Sequence, residues 1–467
     1  MPIQKPGPDE IIIQKMVECG RVLTKRGLNN ITSGNESFVS RGIGELGMYI
    51  TRSSSKLGHL DEPTAIVKTS LNGYDGNMVL ASSEADIHKE IHRRRFEVNP
   101  DLGSCACIHA HTIFAAALSI GFDGTGIWEL EIPEKYRGKR LSGAVPAFTS
   151  RYGSGAQDMV ENMPAILIDE PIMILGNHGA FAVDEDLGEA LEYLIELEEA
   201  CERIVSDRVD PQIAKEIEGR AGNWLDLYSI VGPSNKPCSF RGGEPKTIGV
   251  LMHQSYPPSD EEARMRYLSE IFDEFRVTGR DLTDFAMDPY RRGSLSRRIG
   301  NTIYITRAGV DLSNLGMADL IVFRMGEGGS IGQELCESWL HEKIYGEIAT
   351  SYITHLLPEY SSNYSVYCGD AIIPIDVEGR YLVKRIPVAD LNGYILGEEN
   401  ADLLIDELKS NEKIAYVKGL GGFAIGLGGL YEPLHHLESA ESSVKMITLA
   451  EKMGIDVGAK QEMFREW

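Results

Sequence analysis

The sequence predicts an α/β protein that contains two tandem copies of one unit. Segments with helical periodicity alternate with short apolar segments that have the length of β-strands. The same landmarks then recur in the same order about 250 residues further along the chain. Such repetition indicates duplication of one unit of about 220 residues, so we expect the same fold twice.

Composition restricts the class of protein and its partners. The 467 residues suffice for two or more domains, and 42% are hydrophobic and 25% charged. A formal charge of −24 argues against binding to nucleic acid or to an anionic membrane, because both need surplus lysine and arginine. We find no signal-peptide core and no apolar run of transmembrane length, and the seven scattered cysteines lack a C-x-x-C pair. We therefore expect reduced thiols and a cytoplasmic protein.

The first half begins with a helix and a polar loop. The segment "PDEIIIQKMVECGRVLTKRG", from Pro8 to about Gly27, has helical periodicity and ends at a glycine. The loop "NNITSGNES" follows, and then a strand that ends in "MYITRSSS". A second helix, "SSEADIHKEIHRRRFEV", has Ser82 or Ser83 as its N-cap and acidic residues in its first turn. The next strand carries "CACIHAH".

Further strands and a long helix complete this half. We expect "PAILIDEPIMILGNHGAFAVDED" to form two short strands joined at "DEP". The segment "LGEALEYLIELEEACERIVSD" predicts a long amphipathic helix. A stretch rich in Gly, Pro, Ser and Lys follows, and we place a linker at residues 236–246. The predicted domains are therefore residues 1–235 and 247–467.

The second half repeats these signals but lacks some of their polar residues. The segment "CESWLHEKIYGEI" matches "SSEADIHKEIHRR", and "AYVKGLGGFAIG" matches "IMILGNHGAFAV". In this alignment Glu337 corresponds to Glu84, and Gly421 corresponds to His178. No H-x-H pair follows "CESWLHEKIY", so we interpret this half as a degenerate copy.

The histidine strand is the strongest functional signal. Cys105, Cys107, His109 and His111 occupy alternate positions, so in a strand their side chains share one face. His178, which follows an apolar strand and has glycine neighbours, is the candidate for a third ligand. Three neutral imidazoles with open positions form a catalytic rather than a structural metal site. On these residues alone, histidines satisfied within the core remain the alternative.

Several segments of the first half resemble the class II aldolase/adducin family. They are "ITSGNES", "SSEADIHKEIHRRRFEVNPDLGSCACIHAHTIFAAALS" and "NHGAFAVDEDLGEAL", and the resemblance covers most of residues 9–210. It implies a three-layer α/β/α fold with a mostly antiparallel central sheet. It also implies one divalent metal ion per chain, expected to be Zn²⁺, with His109, His111 and His178 as ligands. We expect Cys105 and Cys107 only to line the strand beneath the site.

The resemblance further implies aldolase chemistry. In this family a small hydroxy-ketone chelates the metal, which stabilises the enediolate left when a C–C bond breaks. Glu84 stands where the family has its acid/base carboxylate, although by itself it would be a first-turn carboxylate that stabilises a helix. Glutamate rather than aspartate favours an aldolase over an epimerase, and decarboxylases and dehydratases also fit. His88 and His92 follow on the same helix face, and we expect them to be structural.

The same resemblance assigns a phosphate pocket to Asn35, Ser53, Ser82 and Ser83. Small polar donors near a helix N-terminus suit phosphate, so we expect a sugar phosphate as substrate. The chain departs from the family at Ser54, usually glycine, and at Arg52, often proline. Arg52 is either a clamp for phosphate or carboxylate, or a solvated strand end.

The resemblance also bears on assembly. Single-domain aldolases of this family form cyclic tetramers whose active sites lie at subunit boundaries. We therefore expect a homo-oligomer, such as a dimer that forms a pseudo-tetramer of domains, in which the second copy keeps a surface that covers the first copy's cleft. The alternative to a lyase is a non-catalytic, adducin-like interaction protein.

Overall fold

The computed structural model describes residues 8–31, 33–41, 46–73, 75–153, 157–220, 222, 225, 229–230, 247–252, 258–327, 337–391 and 395–463. Two compact units account for them. The first falls within Met1–Lys215, Ile375–Tyr381 and Lys445–Trp467, and the second within Glu216–Pro374 and Leu382–Val444. The predicted linker, residues 236–246, lies outside the described residues, and the domain boundaries at residues 235 and 247 stay predictions.

The first 220 residues contain strands and helices in alternation. The strands are β1 Asn35–Ser40, β2 Gly47–Thr51, β3 Ile66–Ser70, β4 Ser104–Ala110, β5 Gly126–Glu131, β6 Ala144–Thr149, β7 Ile172–Leu175 and β8 Gly179–Asp184. The α-helices are α1 Pro8–Lys25, α2 Ala85–Val98, α3 Ile113–Ser119, α4 Gln157–Asp169, α5 Leu187–Arg208 and α6 Pro211–Arg220. Short 3-10 helices are Leu57–His59, Gly76–Leu80 and Glu134–Tyr136.

The strands of the first unit form one mixed sheet between two layers of helices. Their order is β3-β2-β1-β4-β8-β7-β6-β5, and every neighbouring pair is antiparallel except β6 and β7. Helices α1, α3 and α5 pack on the face that buries Phe38 and Ile108. Helices α2 and α4 pack on the opposite face, which buries Cys107 and Phe181. This is the three-layer α/β/α fold with a mostly antiparallel sheet that the family resemblance implies.

The rest of the chain repeats this order. Its strands are β9 Ser229–Ile230, β10 Ser294–Ile299, β11 Thr302–Thr306, β12 Leu320–Arg324, β13 Tyr352–Leu356, β14 Ala371–Ile372, β15 Ile386–Ala389, β16 Ile395–Leu396, β17 Ile414–Val417 and β18 Gly421–Gly426. Its α-helices are α7 Ile248–Met252, α8 Pro258–Asp284, α9 Ser338–Glu347, α10 Glu359–Ser365, α11 Val377–Leu382, α12 Ala401–Asn411, α13 Tyr431–Lys452 and α14 Val457–Met463. Short 3-10 helices are Leu312–Asn314 and Met317–Asp319.

The sheet of the second unit has the topology of the first. Its order is β12-β11-β10-β13-β18-β17-β15-β14, and the parallel pair is again β15 with β17. Strands β9 and β16 form a separate parallel pair. The matching strand orders confirm the tandem duplication. Across the described helices, none combines the length and apolar character that a membrane span requires.

One secondary-structure prediction in the first half is wrong. Residues 164–168, expected to be a strand, lie in the last part of helix α4, and β7 begins only at Ile172. Met159, Met163 and Leu167 lie four residues apart and are buried on one side of this helix. A five-residue apolar run does not distinguish a strand from a buried helix, so the helical spacing of these three residues becomes visible only when the preceding residues are included.

The expected equivalence of Gly421 and His178 is displaced by one residue. Gly179 and Gly421 each begin the strand after the corresponding turn, and each pairs with the last residue of the strand before it. Gly421 is therefore the counterpart of Gly179, and Leu420 stands where the first unit has His178. The conclusion that this histidine is missing from the second unit is unchanged.

Candidate active site

Strand β4 supplies His109 and His111, and the turn between β7 and β8 supplies His178. Strands β4 and β8 are antiparallel neighbours, so this turn lies beside the end of β4. The approach is close because Gly179 has no side chain: a Cβ there would lie 2.1 Å from the carbonyl oxygen of Ala110. Glycine at this position allows His178 to reach the histidine pair.

The three histidines form one buried cluster. Their candidate ligand atoms lie within 4.8 Å of one another, and the Nε2 atoms of His109 and His178 are 3.4 Å apart. The His109 ring also stacks on Phe181, with centroids 4.2 Å apart. Within the described ranges, no other group of three or more His, Cys, Asp or Glu side chains has comparable spacing. The structure thus gathers all three predicted metal ligands at one point.

The protonation states of the histidines in this cluster are compatible with binding of a metal cation. Burial lowers the pKa of His109 and His178, the latter to about 3, so both rings are neutral at pH 7. Neutral imidazole is the form that binds metal. Burial also opposes a charge on His111, but the carboxylate of Glu378 outweighs it and raises the pKa of this residue. The surroundings of the cluster therefore favour positive charge at its centre.

Glu84 lies beside the cluster at the N-cap of α2. Its Oε2 is 3.7 Å from Nε2 of His109 and accepts a hydrogen bond of 2.8 Å from Nδ2 of Asn35. The side chain is only 5% exposed, and its Oε1 has no hydrogen-bond donor among the described residues. A buried carboxylate oxygen without a donor is costly unless a proton or cation satisfies it. Three imidazoles and this carboxylate therefore fit a divalent metal ion.

A chain of hydrogen bonds holds Glu84 in place. Asn35 donates through Nδ2 to Glu84 and accepts through Oδ1 from Nε2 of His88. Nδ1 of His88 accepts from the Ser37 hydroxyl, which accepts from Nε2 of His92, both at 2.7 Å. This polarity gives each donor in the chain an acceptor and requires His88, which donates through one ring nitrogen and accepts through the other, to be neutral. Burial lowers the pKa of both, that of His88 to about 3, so His88 and His92 act as supports.

Four of the residues assigned to a phosphate pocket lie on two adjacent segments. Arg52 and Ser53 follow β2, and Ser82 and Ser83 precede the first turn of α2. A backbone bridge between Arg52 and Ala81 joins the segments. Ser82 is buried, whereas Arg52, Ser53 and Ser83 are exposed. The segments present polar groups together at the N-terminal end of α2.

Asn35, the fifth residue of that set, is placed differently. Both polar atoms of its side chain are used inside the site, by Glu84 and His88. Ser54, which stands where the family usually has glycine, adopts a φ of 62°, in the left-handed region that favours glycine. Arg52 donates through Nη1 to the Thr64 hydroxyl at 3.3 Å. The backbone at Ser54 therefore has the conformation that glycine favours, and the side chain of Asn35 is engaged by Glu84 and His88.

A second carboxylate reaches the cluster from a distant part of the sequence. Oε2 of Glu378 lies 3.1 Å from Nδ1 of His111 and 3.4 Å from Nδ2 of Asn30, and Oε1 accepts a hydrogen bond of 2.6 Å from Ser33. Residues 375–381 belong to the first unit, although they come from the second half of the sequence. Sequence analysis missed Glu378 because no motif surrounds it and 345 residues separate it from Ser33.

The cysteines of β4 remain outside the cluster. Cys105 and Cys107 are fully buried against the α2–α4 side of the sheet. Burial raises the pKa of both thiols, that of Cys105 to about 12, which disfavours the thiolate needed for metal binding. Their position agrees with the expectation that they line the strand.

The second unit has positions equivalent to those of this site, but most of them carry different side chains. Equivalent positions are Ser294 for Asn35, Glu337 for Glu84, His355 for His109, Leu357 for His111 and Leu420 for His178. Glu337 lies 3.0 Å from Nδ1 of His355. Burial opposes both charges, but the pairing raises the pKa of His355 and lowers that of Glu337. A buried ion pair thus replaces the three-histidine cluster.

Comparison with known proteins gives a family match in each half. Residues 14–205 and 273–448 match the model of the class II aldolase and adducin N-terminal domain. Similar solved structures include L-fuculose-1-phosphate aldolase from Thermus thermophilus, with 26% identity, a TM-score of 0.35, and 42% of this chain and 94% of that chain covered. Sugar-phosphate aldolase from Thermotoga maritima has 17% identity, a TM-score of 0.34, and coverage of 44% and 99%. No curated protein matches the chain.

Another similar structure, from Escherichia coli, is described as an aldolase, epimerase or decarboxylase. It has 21% identity, a TM-score of 0.35, and coverage of 42% of this chain and 88% of that chain.

Proposed function

Because the chain belongs to the class II aldolase and adducin N-terminal domain family, with one copy in each half, we propose that its first unit is a divalent-metal-dependent aldolase. It would cleave or form a C–C bond in a small hydroxy-ketone. The observation that carries this proposal is the buried cluster of His109, His111 and His178 beside Glu84, whose Oε1 has no donor among the described residues. We assign one ion per chain, Zn²⁺, to the three histidines.

The role that we propose for each residue follows from the chemistry of its side chain. When bound, a divalent ion supplies Lewis-acid stabilisation of negative charge on substrate oxygens. Glu84 takes the proton of the hydroxyl whose carbon becomes the aldehyde, while the C–C bond breaks and its electron pair stays with the ketone fragment. Glu84 then returns the proton to the ketone fragment's carbon, so the cycle leaves the enzyme unchanged. Asn35 and His88 hold the carboxylate in the orientation that both transfers need.

The proposed substrate is a sugar phosphate. Backbone amides at a helix N-terminus attract anions, and α2 begins where Ser82 and Ser83 lie next to Arg52 and Ser53. Decarboxylation, dehydration or epimerisation of a related sugar acid or sugar phosphate would use the same ligands, and the released product distinguishes them. We further propose a cytoplasmic homo-oligomer in which the second copy serves structure or interaction.

The experiment that tests this function compares metal content with turnover. The full chain is screened against sugar phosphates for released dihydroxyacetone phosphate, lactaldehyde, glycolaldehyde or carbon dioxide. Glu84→Gln keeps the shape of the side chain but cannot cycle a proton, so we expect about 10²–10⁴-fold slower turnover with unchanged metal content. Glu97→Gln, an exposed residue of the same helix, is the control.

Exchange of the ketone's α-proton with deuterated water provides a second readout for Glu84. We expect it in the wild-type protein without aldehyde and expect it to vanish in Glu84→Gln. Undiminished exchange in this variant would remove Glu84 from the mechanism.

A further inference from the structure

We infer that Glu378, which the second copy contributes to the first unit, is a positioning residue that fixes the ring of His111 within the histidine cluster. The inference rests on the proposed function, in which His111 is a metal ligand. It adds a residue that the sequence motifs of the site do not contain.

Both carboxylate oxygens of Glu378 have polar partners. Oε1 accepts from the Ser33 hydroxyl at 2.6 Å, and Oε2 faces Nδ1 of His111 at 3.1 Å and Nδ2 of Asn30 at 3.4 Å. The side chain of His111 is 9% exposed and that of Glu378 18% exposed. The carboxylate thus connects the polar loop before β1 with the histidine strand in a largely dry environment, where such bonds are strong.

The segment that carries Glu378 is anchored on both sides of it. The backbone N–H of Val377 donates to the carbonyl of Asn177, the residue before His178, at 3.1 Å. The guanidinium of Arg380, itself buried, donates to the carbonyl of Gln461 at 2.8 Å. Glu378 therefore cannot withdraw from His111 without breaking contacts within the first unit.

The hydrogen bond determines which nitrogen of His111 is available. A proton on Nδ1 directed at Glu378 leaves the lone pair of Nε2 free for a metal ion. His109 follows the same rule, because its Nδ1 faces the carbonyl oxygen of Ala180 at 3.1 Å while its Nε2 faces His178. A carboxylate partner for a ligating imidazole raises its basicity and fixes its orientation more strongly than a carbonyl does.

The charges are also balanced by this arrangement. Glu84 and Glu378 bring two carboxylates to a cluster of three imidazoles, and one divalent cation neutralises both. The two carboxylates contact different histidines, Glu84 near His109 and Glu378 at His111. Glu378 therefore supports the cluster on the side that Glu84 does not reach.

The test measures Zn²⁺ affinity of the full chain by competition with a chromophoric chelator. We expect Glu378→Ala to weaken binding about 10- to 100-fold. Glu378→Gln should weaken it less, because its amide oxygen still accepts from Nδ1. Tyr381→Ala, at an 80% exposed residue of the same segment, is the control and should bind as wild type does. In the Co²⁺-loaded proteins, the d–d absorption should change in Glu378→Ala and stay constant in the control.

Unchanged affinity together with an unchanged Co²⁺ spectrum in Glu378→Ala would overturn the inference. A second readout needs no metal: ¹⁵N-labelled histidine in the metal-free chain, at a pH where His111 is neutral, reports its tautomer. We expect the proton on Nδ1 in the wild type and in Glu378→Gln and a shift toward Nε2 in Glu378→Ala, and the same tautomer in wild type and Glu378→Ala would contradict the role. If wild-type protein fails to bind Zn²⁺, the proposed function fails, and the tautomer still decides the role of Glu378.

Discussion

Glu36 shows how much the settings of adjacent polar side chains in one strand can differ. It follows Asn35 in β1 and points to the opposite face of the sheet. There it is completely buried with Cys19 as its neighbour, and neither of its oxygens has a conventional hydrogen-bond partner among the described residues. Burial raises the pKa of Glu36 to about 8. The second unit has Leu295 at this position, which shows that the fold accepts an apolar side chain here.

We predict that Glu36→Leu stabilises the protein and that its advantage grows with pH. The folded state keeps the proton of Glu36 up to about pH 8, whereas the unfolded chain releases it near the ordinary value of 4.5. Wild-type stability is therefore lost as pH rises through this window, by up to about 1.4 kcal/mol per pH unit. Thermal unfolding between pH 5 and 8 measures the difference.

Glu36→Gln is the matched control for this prediction, because it keeps a polar group but cannot titrate. Its stability relative to wild type should also rise with pH, but from a lower starting point than that of Glu36→Leu. A constant difference between wild type and Glu36→Leu across the window would show that Glu36 does not titrate as described.

The chemistry of the site was predictable from sequence only where its residues share a local pattern. His109 and His111 are visible because alternation in a strand puts them on one face, and Glu84 because it begins a recognisable helix. Ser37 and Glu378 carry no such pattern. Their roles arise from strand pairing and from a segment more than three hundred residues away, which spacing along the chain does not encode.

At the scale of elements, the β7–β8 turn determines whether the site forms. We predict that Gly179→Ala weakens Zn²⁺ binding and destabilises the protein by about 1–3 kcal/mol. The added Cβ would lie 2.1 Å from the carbonyl oxygen of Ala110 and 3.0 Å from Cα of His111, so β8 and the turn must move away from β4. Calorimetric metal titration and thermal unfolding measure both effects.

Gly103→Ala serves as the control for this substitution. It lies just before β4, and a Cβ there meets nothing within 4 Å, so it should leave both quantities unchanged. Wild-type Zn²⁺ affinity in Gly179→Ala would show that the turn tolerates a side chain and that His178 is positioned in another way.

The caps of helices α3 and α10 are interactions that the sequence alone does not reveal. Helix α3 lacks a side-chain cap of its own, and Glu198 of α5 accepts instead from the backbone N–H groups of Phe114 and Ala115, at 2.9 and 3.1 Å. Glu441 of α13 does the same for the first turn of α10. A capping residue is ordinarily sought beside the helix that it caps, so a cap supplied by another helix is missed. Its presence in both units also supports their common origin.

At the scale of the whole molecule, the compact units do not follow the two halves of the sequence. Residues 375–381 and 445–463 belong to the first unit, although the family matches place them within or after the second copy. The duplication was predictable because its landmarks recur along the chain. The assignment of these later segments to the first unit was not predictable. Hydrophobic periodicity indicates a buried helix but does not show which core buries it.

We predict that residues 1–235 alone will aggregate and bind Zn²⁺ weakly. This fragment lacks Leu449 and Met453, which pack against the core of the first unit, as well as Glu378. Loss of these side chains exposes apolar surface. Size-exclusion chromatography and metal titration test the fragment, and adding residues 247–467 should restore part of both properties. A monomeric fragment with full Zn²⁺ affinity would show that the first unit does not need the later segments.

The packing of Leu449 and Met453 against the core of the first unit has a consequence for biosynthesis. A ribosome that adds about 5–20 residues per second needs on the order of 10–50 s to proceed from Lys215 to Lys445. Throughout that interval the nascent first unit lacks the helical segment whose Leu449 and Met453 pack against its core. We therefore expect packing of its core to be completed only with the last part of the chain, whereas domains generally fold as units, N-terminal first, during synthesis. The N-terminal half is thus expected to expose apolar surface during translation, the condition in which partly folded chains depend on chaperones.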